Sequence, residues 1–268
     1  MLKEYSAPPV EKVEMAVYFD PLPQLDLVNL VKVCQSLQKK LGPFSIHQSD
    51  YIPTRLEGDG PNLGGAHFEI KQGAPKIGLR LTSEARDRTV LLQDSRLAVS
   101  WSRVEQESYP RYPKLKKCFQ TVFDAFLSSA GLTESTIGDF KQVGISYVNY
   151  LPDDDAKAHE LLNFIDFTSF KEHEGIAMQT SQMLQNERIV GRLVLDLMSI
   201  FSLDSEENTV RETRKLRMNL TFRGKPAGPG IDGVCNFFDR GHEAIVRTFS
   251  DSLSEKGRKK FREQKRDE

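Results

Sequence analysis

The chain has 268 residues, with 37 Lys and Arg against 38 Asp and Glu, a formal net charge of −1 and 38% hydrophobic residues. This balance argues against a wholesale nucleic-acid or acidic-membrane binder, which is usually basic, and no apolar run reaches the roughly 18 residues of a membrane span. Sixteen Phe, seven Tyr and one Trp supply bulky side chains, and a chain of this length buries about three quarters of its unfolded surface.

The sequence opens with Tyr5-Ser6-Ala7-Pro8-Pro9, an extended lead-in, followed by Val13, Met15, Val17 and Phe19 alternating with Glu14, Ala16 and Tyr18. That period of two predicts a half-buried strand, ended by Pro21 and Pro23. Leu27, Leu30, Val31, Cys34, Leu37 and Leu41 recur at three- and four-residue steps up to Gly42-Pro43, which predicts a helix and its stop. Phe44 to His47 reads as a short strand and 53–75 as a glycine- and proline-rich loop. Strands are predicted around Ile77–Leu81, Val90–Gln93 and Leu97–Trp101. A helix striped by Leu115, Phe119, Val122, Phe123 and Phe126 follows, with Pro113 near its start and Gly131 just past its end. Then the pattern restarts. Val143, Ile145 and Tyr147 alternate with Gly144, Ser146 and Val148, and Leu161, Leu162 and Ile165 predict a polar helix. Strands are expected at 176–185, 189–201 and 214–223, the last setting Leu216, Met218, Leu220 and Phe222 against Arg217, Asn219, Thr221 and Arg223. The loop Gly224–Gly230 leads to a final helix with Ile245, Phe249 and Leu253 in register, and 256–268 is a charged tail.

The element order predicts an α+β fold: one domain over 1–268, made of two related β-α-β(3-4)-α halves at about 8–138 and 139–265. A curved, mostly antiparallel sheet would be covered on one face by long helices. The arrangement resembles a helix-grip or saddle fold of the kind seen in TATA-binding proteins, a likeness of topology that does not fix function. The uncovered face would carry small and hydrogen-bonding residues, and the candidate binding residues on it are Tyr18, Arg80, Ser100, Ser102, Ser146, Arg192, Asp196, Arg217, Asn219 and Arg223. Guanidinium groups in such a setting grip carboxylates or phosphates, although antiparallel sheets often leave one face simply solvated.

No catalytic residue and no metal ligand set stands out. GxSxG, GxxxxGK[ST] and a strand-following GxGxxG are all absent, and the histidines His47, His67, His159, His173 and His242 form no HxH or HExxH pattern. Asp239-Arg-Gly-His242-Glu243 invites an acid–base reading, but Asp239 also suits a helix N-cap and Glu243 a first turn. Asp153-Asp154-Asp155 reads as a further cap rather than a cation site, and Trp101 as core. Cys34, Cys118 and Cys235, odd in number and without CxxC, fit reduced intracellular thiols. Lys3, Glu4, Glu11, Lys12 and Glu14 leave no signal peptide in the opening residues. No cofactor and no metal are therefore expected, and the compartment expected is the cytoplasm.

Four blocks taken together carry a family likeness: YSAPPVEKVEMAVYFDPLP, VSWSRVEQESYPRYPKLKKCFQTVFDAFLSSAG, FKQVGISYVNYL and FFDRGHEAIVRTFSDSLSEKGRKKF. The chain resembles a sporadically distributed family of uncharacterised bacterial proteins of about this length. The matching positions are Pro8, Pro9, Val10, Phe19, Pro21, Leu22, Trp101, Tyr147, Val148, Asn149, Gly241, His242 and Phe249. The resemblance implies no catalytic residue and no cofactor. The family's patchy distribution implies a mobile setting, such as a phage-defence or toxin–antitoxin locus.

Three functional expectations follow. The first is a non-enzymatic protein that engages a protein partner through the open sheet face or a sheet edge, with no membrane association. The second is a nucleic-acid binder that uses that face and the basic tail (Lys256, Arg258, Lys259, Lys260, Arg262, Lys265 and Arg266). The third is a small-ligand or enzymatic pocket between helices and sheet, with His242 or Asn149 as its polar groups.

Overall fold

The computed structural model describes residues 4–52, 77–105, 108–152, 158–163, 177–186, 189–206 and 209–264. The glycine-rich stretch 53–75 with His67, Asp153–Asp155, Ile165, His173, and Lys265 and Arg266 of the tail lie outside the described residues. In chain order the elements are β1 (Glu4–Tyr5), β2 (Val10–Tyr18), α1 (Leu27–Leu41), β3 (Phe44–Ser49), β4 (Gly78–Ser83), β5 (Arg88–Gln93), β6 (Arg96–Ser102), α2 (Tyr112–Ala130), α3 (Glu134–Ile137), β7 (Gln142–Pro152), a 3₁₀ turn (Ala158–Leu161), β8 (Ala177–Asn186), β9 (Ile189–Glu206), β10 (Thr209–Lys225), α4 (Gly230–Ser252), α5 (Glu255–Lys260) and β11 (Glu263–Gln264).

Nine strands form one open, curved antiparallel sheet in the order β3-β4-β5-β6-β2-β7-β10-β9-β8, and β1 pairs separately with β11. Read outward from the central β2–β7 pair, the order is 6-5-4-3 on one side and 10-9-8 on the other. The chain therefore lays a first strand at the centre, travels to the edge, and returns by hairpins to pair with its own start. Among the described residues the second round has only the 3₁₀ turn Ala158–Leu161 where a polar helix was expected.

One face of the sheet is apolar, and the helices α1, α2 and α4 bury it. Val13, Met15 and Val17 of β2, Val143 and Ile145 of β7, and Leu216, Met218, Leu220 and Phe222 of β10 are all buried. Six phenylalanines (Phe119, Phe123, Phe126, Phe222, Phe237 and Phe238) are fully buried, each contributing roughly 1.5–3 kcal/mol by transfer alone. Phe119 meets Phe238 edge-on at 4.9 Å, which joins α2 to α4. Trp101 is core, as its strand position predicts. α1 starts on Asp26, whose carboxylate accepts from the Asn29 amide at 2.8 Å, and α2 ends on Gly131 in the left-handed conformation at φ 65°.

Two expectations about the C-terminal part are corrected. α4 begins at Gly230, so Asp239 lies in mid-helix and caps nothing. The apolar stripe runs back through Phe238 and Phe237 to Val234, upstream of the Ile245–Leu253 register that marks it most plainly in the sequence. The charged tail is also not simply solvated. Phe261 is buried against Phe249 at 6.1 Å, and β11 ties the end to Tyr5.

Close approach of α4 to the sheet depends on Gly241. A Cβ there would lie 2.6 Å from Cγ2 of Ile145 and 2.8 Å from Cδ1 of Phe222, both core atoms. In an exposed helix Gly→Ala is stabilising by roughly 1 kcal/mol. Here overpacking of about 1–3 kcal/mol opposes it. Gly241→Ala is expected to lower the urea midpoint, and an unchanged or raised midpoint would show that α4 is not seated at this distance.

Candidate functional site

The face of the sheet away from the helices holds the ten residues expected there, and the structure divides them into groups. On β7, β9 and β10, Ser146 donates to Oδ1 of Asn219 at 2.8 Å and shares a hydrogen bond with Thr221 at 2.9 Å. Asn219 donates to Asp196 at 3.3 Å, and Gln179 of β8 donates to the other Asp196 oxygen. Arg192 reaches Ser181 at 3.3 Å, and Arg217 and Arg223 are half-buried. Towards the other edge Arg80 is exposed and touches Ser49 at 3.5 Å. Tyr18 lies under the Arg96 guanidinium, 5.1 Å from its ring centre, while Arg96 is ion-paired with Glu14 at 2.6 Å. Ser100 is buried and Ser102 half-buried. Arg80 on β4 and Arg192 on β9 are six strand positions apart in the sheet order, roughly 29 Å at about 4.8 Å per spacing. No single small ligand spans that distance, and the Ser146–Asn219–Asp196 polar atoms are already bonded to one another.

A cleft on the opposite side, between the sheet and its helices, does bring polar and aromatic groups together. Its volume is about 430 Å³. Tyr147 and Asn149 of β7 and Val10 of β2 form its floor. The start of α2 (Tyr112 and Pro113, with Arg111 before it) forms one wall, and His242, Ile245, Val246 and Phe249 of α4 form the other. Tyr5 and Tyr109 complete it.

Helical periodicity explains why α4 can serve both core and cleft. Val234, Phe237, Phe238, Gly241 and Ile245 face the sheet. Cys235, Asp239, His242 and Val246 follow steps of four, three and four residues, and so form a second stripe about a quarter turn away. That stripe meets Tyr112 and Lys116 of α2, which are one turn apart on one face. Asp239 accepts from the Tyr112 hydroxyl at 2.7 Å and from Lys116 at 2.7 and 3.0 Å. Tyr112, held in this way, stacks flat on His242, with ring centres 4.1 Å apart and planes at 7°. Asp239 thus positions an aromatic wall, which is a different role from the helix cap its sequence context favours.

Beneath that wall runs a chain of hydrogen bonds. His242 Nδ1 is 2.9 Å from the Tyr147 hydroxyl, which is 3.1 Å from the Tyr109 hydroxyl. Burial pushes His242 down from 6.5 to about 4; Asp239 and Glu243 oppose this and Lys116 adds to it. The ring is therefore neutral near pH 7. Burial likewise pushes Tyr109 up to about 12 and raises Tyr147 and Tyr112. Two proton arrangements satisfy the chain. In one, Tyr147 donates to Nδ1, Tyr109 donates to Tyr147, and the imidazole proton sits on Nε2. In the other, both bonds reverse and Nε2 becomes an acceptor. Asn149, buried on the same floor, donates to the Met218 carbonyl at 3.3 Å.

The sequence reading named His242 and Asn149 as polar groups of such a pocket but missed Tyr109, Tyr112, Tyr147 and Arg111. The available signal was the second stripe of α4 set against Tyr112 and Lys116. Among the described residues no three His, Cys, Asp or Glu side chains gather as they would around a metal ion, and no described helix is long and apolar enough to cross a membrane. No protein-family model matches the chain, and no curated protein matches it.

The depressed His242 value has a thermodynamic consequence. Between pH 6.5 and 4 the unfolded histidine binds a proton that the folded one refuses. The stability this group confers is therefore complete above about pH 6.5, falls as pH falls, and is gone near pH 4. The span corresponds to about 3 kcal/mol. Urea unfolding at pH 7 and pH 4.5 is expected to show a smaller loss in His242→Gln than in the parent. Identical losses would mean that His242 is not buried as a neutral ring.

Proposed function

We propose that this chain is a ligand-binding protein that holds a small, planar molecule in the cleft between β7, α2 and α4. The observation that carries the reading is the aromatic cleft itself, with a preformed Tyr112–His242 stack above a satisfied Tyr109–Tyr147–His242 chain. Largely apolar concavities with a few converging polar groups are the usual form of small-molecule sites. Its size suits one or two rings, since an apolar cavity of about 150 Å³ holds a single benzene.

The electrostatics favour binding over proton transfer. General acid–base catalysis works best with groups that titrate near the working pH. Here the imidazole is pushed to about 4 and the Tyr109 phenol to about 12, so the network holds its protons. The resemblance to a sporadically distributed bacterial family, and a cytoplasmic setting, belong to the same proposal and sit well with a binding role. Nucleic-acid binding is less supported, because Lys256 is paired with Glu160, Lys259 is paired with Glu255, and Phe261 ties the tail into the core.

Saturation-transfer NMR with a set of mono- and bicyclic aromatic fragments tests the reading. Signals are expected with the parent chain and are expected to vanish in Val246→Trp, which fills the cleft from a half-buried position. Fragments that bind both equally, or neither, would count against the cleft.

A protein-partner surface on the open sheet face is the second reading. It is favoured by Arg217 and Arg223, which flank Asn219 and Thr221 on β10 and remain half exposed on the face opposite the helices. Arg217→Glu with Arg223→Glu is expected to abolish recovery of a stoichiometric partner from native lysate, and undiminished recovery would remove this reading.

A further inference from the structure

We propose that the ligand of the cleft is an aromatic acid, with its ring seated beside the Tyr112–His242 stack and one anionic arm held at the mouth by Arg111. The inference rests on the cleft being a ligand site and adds which chemistry that site selects. Among the described residues that line the cleft, Arg111 is the one formally charged side chain once His242 is neutral, and none of them is Asp or Glu. A cationic ligand would find no counter-charge among these described residues, whereas an anionic one meets a guanidinium.

The geometry around Arg111 leaves room for that role. The side chain donates from Nη1 to the Tyr5 carbonyl at 2.8 Å, which leaves the rest of its planar fork for a carboxylate or phosphate. Arg111 is also the residue before α2, yet its side chain does not cap the helix, and the first turn of α2 has no acidic residue. The first-turn amides of Tyr112 and Lys114 have no partner within the helix, and this positive helix end lies beside the cleft, which Tyr112 and Pro113 line. The backbone of Arg111 has φ 70° and ψ 148°, a conformation at ease only for glycine. An arginine occupies a position where glycine would be less strained.

Matched probes separate this inference from the reading beneath it. Phenylacetate, phenyl phosphate, phenylacetamide and acetate are titrated against the full chain by calorimetry and ligand-observed NMR. The acids are expected to bind about tenfold or more tightly than the amide, the gain of a charge-assisted pair, and acetate is expected not to bind. A preference for phenylacetate over phenyl phosphate, or the reverse, identifies the anionic arm. In Arg111→Gly the acid preference is expected to collapse while Tm rises, since the strained position is relieved. Arg111→Lys is expected to retain part of the preference. Equal binding of acid and amide, or a preference that survives Arg111→Gly, overturns the inference and leaves the cleft reading standing. Failure of every aromatic probe, neutral or charged, overturns both.

Discussion

An open antiparallel sheet with one apolar face must bury that face from a single side, and the rest of this structure follows from how closely the helices achieve it. Along α4 the approach is limited by Gly241, which lets Ile145 and Phe222 press against the helix backbone. α2 is joined to α4 by Phe119 and Phe238 meeting edge-on. Where those contacts hold, the space is filled by phenylalanine. Beyond them, around the start of α2 and the C-terminal half of α4, tyrosine, histidine and valine join Ile245 and Phe249, and the same interface opens into a cleft. The cleft is therefore a continuation of the core, left unfilled at one end.

That origin accounts for its chemistry. A histidine at the border of a phenylalanine core is desolvated, so it is held neutral, and its one certain partner is another buried group, the Tyr147 hydroxyl. The charges that the region does contain are kept behind its walls, where Lys116 and the Tyr112 hydroxyl satisfy Asp239. Asp239 is itself partly exposed, and its bonds to Lys116 and to the Tyr112 hydroxyl lock the Tyr112 ring over His242. Among the described residues, the surface offered to a ligand is thus largely aromatic and apolar, with the Arg111 guanidinium at its rim. The outer face of the sheet differs. Its polar groups bond mostly sideways to their neighbours on adjacent strands, as cross-strand pairs do, and they are spread across many strand spacings.

Much of the fold was legible because it depends on periodicity. The alternation at Leu216–Arg223 and at Val143–Val148 marked strands and their buried sides correctly, and the Phe119–Phe126 stripe marked α2. The α4 start was misjudged because Asp239 is a good cap in isolation, and local capping preference cannot reveal that Val234 and Phe237 already belong to a helix packed on β10. The tail was misjudged for a similar reason: one aromatic, Phe261, among many charges outweighs them once a core is there to receive it.

What the amino-acid order alone determined is which side of each strand and helix is apolar, since that follows from the two- and 3.6-residue repeats of the backbone itself. It therefore settled the fold class and the covering of one face. Only the tertiary structure decided that Tyr109, Tyr112, Tyr147 and His242 share a site, because these residues come from a loop, two helices and a strand separated by as many as 133 positions. Their meeting depends on how two helices diverge over a curved sheet. That divergence is set by the volumes of side chains distant in sequence, and no local pattern encodes it.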